Sequence, residues 1–563
     1  MTHTARLRAR ILVSCAAFAL LAACGDDSGD QAQQPMAMDH GAAAAPVPLY
    51  TDLGGWTHKI GTSDPQAQAY FDQGVRFLFG FNHAEAIRSF EEAARHDEDC
   101  AMCWWGVAFA YGPNINMPMM PDAASPAIAA VEKATELALY ANSAEQAYIA
   151  AIAKRYSSDP NADRAQLDKD FAAAMKGLAA SLPDDPDAQT FYVEALMDTS
   201  PWNYWEKGGT QMHPGLEDII PTLERTMARW PDHPGAKHLY IHAVEASADP
   251  KRGEAAADAL HPMMPGMGHV VHMPGHIYNR IGRYEDALKV NIEAEAADEK
   301  FASDSGQHGL YSKMYYIHNM QFGTTAATND GQSAVAIAQA RKALANLDYA
   351  AAEHVPMVEN ATQIAQLTLL RFGKYGDVLS EPMPGANMHL SLAIYHYARA
   401  RAYVGRDDMI GASGEQAELK KFHNDPVLDR FIPFGVPAKE IVALADKIVE
   451  GDIARRNKDW DAAIAAYTAA AAMEDALPYT EPPYWDFPVR NTLGATLLEA
   501  GKPAEAEAAF TESLKTWPTN GWALFGLMKA QEAQGKTDEA AATKAAFDTA
   551  WARADTTPDL ARY

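Results

Sequence analysis

Two histidine pairs stand near the middle of the chain, His238 with His242 and His272 with His276. Each has the spacing His-x-x-x-His. On a helix, residues so spaced lie one turn apart on a single face. The second pair follows the first by 34 residues, which is the length of a repeating two-helix unit. The second pair is therefore the first moved along by one structural unit. Neighbouring packed helices run about 8–10 Å apart, and imidazoles from two of them can converge on one ion at about 2.0–2.1 Å per bond. The chemistry such a set performs is transition-metal binding. Imidazole suits zinc, copper, iron or nickel. The thioethers of Met263, Met264, Met267 and Met273, in the same stretch, favour copper(I). Pro274 falls inside the predicted second helix, where it removes a hydrogen bond. A helix that began only there would leave His272 on its entry loop.

The elements that must position these residues are helices. From Tyr70 onward the chain is Ala-rich, with apolar residues at three- and four-residue spacing. One pattern recurs at 70–94, 274–297, 447–472 and 490–518. In each, a glycine (Gly74, Gly275, Gly451, Gly494) lies twelve residues before an alanine (Ala86, Ala287, Ala463, Ala506). Small residues so placed let the two helices of a hairpin approach closely, and Gly80, Gly282 and Gly501 mark turns between them. Pro-rich and aromatic insertions interrupt the pattern at 112–126, 202–214 and 477–487. No strand pattern competes.

This pattern resembles the tetratricopeptide repeat family over most of residues 65–550. The resemblance implies an all-α fold, an α-solenoid of stacked helical hairpins with a concave groove. In that family the first helix of each hairpin lines the groove, and four of its positions face ligand. On that frame the facing residues are His269, His272, His276 and Asn279 in one unit. One unit earlier they are Gly235, His238, His242 and Glu245. Local similarity extends the series to Met314, His318 and Gln321, and to Thr190, Glu194 and Met197. The resemblance thus implies a line of ligand-type residues, Glu194, His242, His276 and His318, along one groove. Glu245 or Glu194 would supply a carboxylate ligand or a general base.

Cys100 and Cys103 form a second candidate. Their spacing lets them close a disulfide outside the cytoplasm; a thiolate metal pair is the alternative. No histidine follows Cys103, so covalent haem attachment is not supported.

The N-terminus reads as an address. Arg6, Arg8 and Arg10 precede a short apolar run, too short to span a bilayer as a helix, that ends in Leu21-Ala22-Ala23-Cys24. This resembles a bacterial lipobox and implies cleavage before Cys24 and lipidation of its sulfur. Residues 1–24 are thus expected to be a lipoprotein signal peptide and 25–49 a flexible tether. An N-terminal repeat block with the His-rich groove is expected over 50–425. A C-terminal block, serving protein contact or stability, is expected over 440–550. No aspartate directly follows Cys24, which favours the outer membrane, facing the periplasm. The net charge of −27 and sequence pI of about 5.1 exclude nucleic acid, because phosphate binding needs a basic face. There is no Gly-rich phosphate loop, serine-nucleophile motif or His-Glu-x-x-His signature.

The expected protein is an exported, lipid-anchored binder whose groove holds a transition metal, copper or zinc. The alternatives are a metal-free adaptor for an envelope protein or peptide, and a metalloenzyme. The sequence leaves enzyme activity open.

Overall fold

The structure is a computed structural model and describes residues 47–306, 309–485 and 487–563. The expected signal peptide, Cys24 and nearly all of the tether lie outside the described residues. Among those described there is no strand, only two isolated bridges. Among the described residues no helix is long and apolar enough to cross a membrane.

Helices pair into antiparallel hairpins. Pro65–Phe79 packs on His83–His96, Ala438–Arg456 on Trp460–Glu474, and Val489–Glu499 on Pro503–Thr516. Local chemistry starts them. Asp64 caps the first helix by accepting from the Gln66 and Ala67 N–H groups, with Pro65 at the first helical position. The recurring glycines are contact points. A Cβ on Gly74 would meet the Phe90 ring at 2.5 Å; Gly451 meets Tyr467 and Gly494 meets Phe510, each at 2.7 Å. In each case the ring stands sixteen residues after the glycine and fills the space its missing side chain leaves.

Among the described residues eight α-helical hairpins close with the same turn, which Gly435 repeats after the 3-10 segment Pro426–Phe434. The turn residue donates its N–H to the carbonyl three back, and the next residue donates to the carbonyl five back. The turn residue has left-handed backbone, which favours glycine. Gly282, Gly331, Gly373, Gly501 and Gly535 occupy it in five hairpins, but Phe81, Asp407 and Lys458 occupy it in the other three.

The apolar core has two parts. One runs from Leu53 to Phe372 and takes in Ala495, Phe510, Trp522 and Tyr563. The other, Leu369 to Val489, runs unbroken across 425–440, where the chain forms the 3-10 segment Pro426–Phe434. The C-terminal helices fold back on the middle of the chain. Trp522 Nε1 donates to the Thr328 carbonyl at 3.0 Å, Asn520 Nδ2 to Asn329 Oδ1 at 2.7 Å, and the Ser333 and Ala334 N–H groups to Asp555.

Around Pro274 the helix divides into Gly268–His272 and Pro274–Ile281. Proline lacks the N–H that would continue the ladder. Met273 between the pieces keeps helical backbone (φ −50°, ψ −39°), so the facing of His272 and His276 carries through the break.

Candidate metal centre

Six histidines from four helical segments meet. His238 and His242 come from Pro234–Glu245, His269 and His272 from Gly268–His272, His276 from Pro274–Ile281 and His318 from Leu310–Asn329. They form two groups of three, His238/His242/His269 and His272/His276/His318. Within each group one ligand atom per residue lies within 4.8 Å of the others. The groups adjoin: His242 and His276 have ring centroids 5.5 Å apart, and His269 and His272 6.0 Å.

The centre is closed where an open groove was expected. Every ring except that of His318 belongs to a residue no more than 2 % exposed. Phe81 packs over His238, His242 and His269, and Phe322 over His272, His276 and His318. Trp202, another non-glycine residue with left-handed backbone, lies against His242 and His276. Asn116 holds Trp202 by accepting its Nε1–H and donates to the Tyr315 hydroxyl. The insertions at 112–126 and 202–214 thus supply Asn116 and Trp202 to the roof of the centre.

The outer atoms of the rings are held by acceptors. His238 Nδ1 is 2.6 Å from the Phe79 carbonyl. His242 Nδ1 is 2.8 Å from Glu245 Oε1, and His276 Nδ1 is 2.6 Å from Glu245 Oε2. His272 Nδ1 is 2.7 Å from Asn291 Oδ1, whose own Nδ2 donates to the Ala287 carbonyl. Carbonyl and carboxylate oxygens only accept, so each Nδ1 carries the hydrogen and each neutral ring turns its Nε2 lone pair inward. His272 Nε2 and His276 Nε2 then face one another at 2.8 Å. Two lone pairs that close repel unless a proton or a metal ion stands between them. Two imidazoles bound tetrahedrally to one ion would place those atoms about 3.3 Å apart. His238 Nε2, His242 Nε2 and both nitrogens of His269 are buried with no hydrogen-bond partner. Each such atom costs about 1–3 kcal/mol.

Electrostatics favour the neutral, ligating form. Burial, then mutual repulsion, pushes His238, His269 and His272 well below the ordinary imidazole range; burial also lowers His242. Burial pushes the Glu245 carboxyl up, but His276 and His242 outweigh it and hold it at about 2. Both Glu245 oxygens are spent on Nδ1 atoms. Glu245, expected as a ligand or base, instead fixes the orientation of the His242 and His276 rings. Its backbone carbonyl accepts from Arg280. The Tyr479 hydroxyl lies 3.1 Å from Glu245 Oε2 and 2.6 Å from Glu481 Oε1. Burial raises Glu481 to about 7.

Glu194 is not brought to the histidines. It joins none of the ligand groups, and its charged neighbours are Arg155 and Asp198, with burial raising its carboxyl to about 7. Of the flanking methionines, Met267 has its Sδ accepting from the Tyr311 hydroxyl, and Met264 packs beside Gly54. Cys100 and Cys103 form a disulfide, which removes the thiolate pair as a metal site. A third polar group, His58, Asp185 and Asp187, escaped the sequence reading. Trp56, His58 and His233 contact Asp187, while Tyr148 and two helix N–H groups occupy Asp185. It is a clasp between the N-terminal strip and the helix Pro186–Met197.

Asn291 was missed although a signal for it exists. It stands sixteen residues after Gly275, where three other units carry an aromatic ring. Tyr479 and Glu481 lie some 235 residues from Glu245 and had no local signal.

Residues 497–547 match a model described as tetratricopeptide repeat. No curated protein matches the chain. Among solved structures, the human IFIT1 dimer with m7Gppp-AAAA is 13 % identical, covering 87 % of this chain and 91 % of that one at a TM-score of 0.31. Yeast Tom70 is 14 % identical, covering 88 % and 93 % at a TM-score of 0.27. Residues 497–547 thus carry a tetratricopeptide-repeat segment, and the same hairpin, turn and glycine contact recur along the described, all-helical residues.

Proposed function

We propose that this protein binds two transition-metal ions in the six-histidine centre, one to each group of three, and that the metal is copper. The carrying observation is the pair His272 Nε2 and His276 Nε2, 2.8 Å apart with both Nδ1 atoms committed as donors. Charge supports copper(I) over a divalent ion. Imidazole ligates without bringing charge of its own, and the carboxylates nearby are Glu245 and Glu481. With Arg280 beside both carboxylates, two monovalent ions would leave the buried site close to balance, whereas two zinc ions would leave a larger excess of positive charge. Three imidazoles would complete a trigonal copper(I) site, whereas zinc would keep a fourth position open. The disulfide and the 1–24 pattern support an exported protein, tethered through Cys24 to the cell envelope, with its hairpins free to bind a protein partner.

Metal analysis of the full chain, purified after export in copper-supplemented medium, tests this. About two copper ions per chain are expected, and His242→Ala with His276→Ala should lose most of both while helical circular dichroism is kept. Zinc at the same stoichiometry would replace the metal and leave the site. No bound metal, and none taken up on titration with copper(I) or zinc, would overturn the proposal and leave a metal-free adaptor.

A further inference from the structure

A second site lies far along the chain, between the helices His389–Gly405 and Ala438–Arg456 and the C-terminal residues. There the fold encloses a cavity of about 850 Å³, within the range of small-ligand sites, roughly 300–1,000 Å³. Its charge runs against that of the molecule. The chain carries −27 overall, yet six cations line this cavity, Arg371, Arg401, Arg455, Arg456, Lys458 and Arg562, against four carboxylates. The deeper guanidiniums are fixed. Arg401 Nε is 2.7 Å from Asp452 Oδ2, and Arg455 is held by Glu499 and by the Tyr563 carbonyl at 2.8 Å. Their forks are spent on Asp452 and Glu499, so these two guanidiniums shape the wall, and an anion would be met by the exposed Lys458 and Arg562 at the rim. Between them stand flat apolar faces, among them Tyr397, Trp460, Trp485 and Phe487.

The backbone marks the same place. Of the eight equivalent hairpin turns, five have glycine at the left-handed position. Phe81 takes it over the histidines; Asp407 and Lys458 take it here, and both line this cavity. An L-residue held there costs about 1 kcal/mol or more. Two charged side chains at one rim, in a conformation the fold elsewhere assigns to glycine, are the mark of a site kept at some expense to stability. Asp407 pairs with Arg456 across the mouth.

The geometry points to a binding site for a small organic anion, a flat aromatic or heteroaromatic body bearing a carboxylate or phosphate. The body would lie against the aromatic wall with its charged group towards Lys458 and Arg562. This does not depend on the metal centre.

Calorimetric titration of the full chain tests it with three probes of one shape: p-nitrobenzoate, p-nitrophenyl phosphate and the neutral p-nitrobenzyl alcohol. Saturable binding is expected for one or both anions, and the tighter of the two identifies the charged group. In Lys458→Glu with Arg562→Glu, both exposed positions, affinity should fall at least tenfold with an unchanged melting temperature. The alcohol should not saturate. Absence of saturable anion binding, equal binding of the alcohol, or anion binding undiminished in the double variant would each overturn the assignment.

Discussion

The hairpin that carries His272 and His276 and the hairpin at 489–516 follow one plan and differ at one packing position. Both have a glycine in the first helix and a buried residue sixteen places later in the second. At Gly494 that residue is Phe510, which also fills the space at Gly526. At Gly275 it is Asn291, whose amide takes the place of the ring and accepts from His272 Nδ1. The same hole is used in one hairpin to hold two helices together and in the other to aim an imidazole. A repeat fold can thus acquire a polar centre without new elements, by exchanging the side chain that plugs one contact.

That comparison can be broken from either side. The largest effect is expected in the C-terminal hairpin, where Phe510→Asn removes a fully buried ring and strands an amide. Urea denaturation should show a loss of about 3–5 kcal/mol or more with no gain in bound metal. The reciprocal change, Asn291→Phe, restores the plug and removes the acceptor. Competition with a copper(I) chelator should show about 10- to 100-fold weaker binding at one of the two sites. If Asn291→Phe left both affinities unchanged, the amide would be packing and nothing more.

A third test sharpens the contrast through pH. Asp298, in the helix Tyr284–Ser305 that carries Asn291, is driven by burial from 3.8 to about 8. The folded state therefore keeps a proton that the unfolded state has lost across that interval. Stability should fall as pH rises from about 4 to about 8 and level off above. Asp298→Asn should flatten this part of the melting profile; an unaltered slope would remove the carboxyl from the account. The smallest effect is expected at the turns. Gly501→Ala, with open space around it, should cost only about 1 kcal/mol for its left-handed backbone. Gly282→Ala should cost more, since its Cβ would come within 2.2 Å of the Pro518 carbonyl oxygen.

Much of this centre can be read from residue order, because helical facing and repeat period are one-dimensional quantities. The spacing of His238, His242, His272 and His276 and the repeat frame that added His269 and His318 name the six rings that converge. Hydrogen-bond direction does not follow from facing. Glu245 shares a face with His242, but its role was decided by His276, 31 residues on in the next hairpin. Glu194 keeps the right position in its own helix, yet Arg155 from a different helix pair claims its surroundings. Closure was least legible. It depends on loops packing across several units, which no period describes, and the return of the C-terminal helices to residues 282–334 has the same origin.

That return changes what kind of solenoid this is. An open array can be trimmed unit by unit, each loss felt only by its neighbour. Here the last helices are buckled onto the hairpin beside the histidines, through Thr519 on Gly282 and Trp522 on Thr328. The two halves tension one another like a belt and its clasp. Shortening the chain from its far end should be felt at its centre.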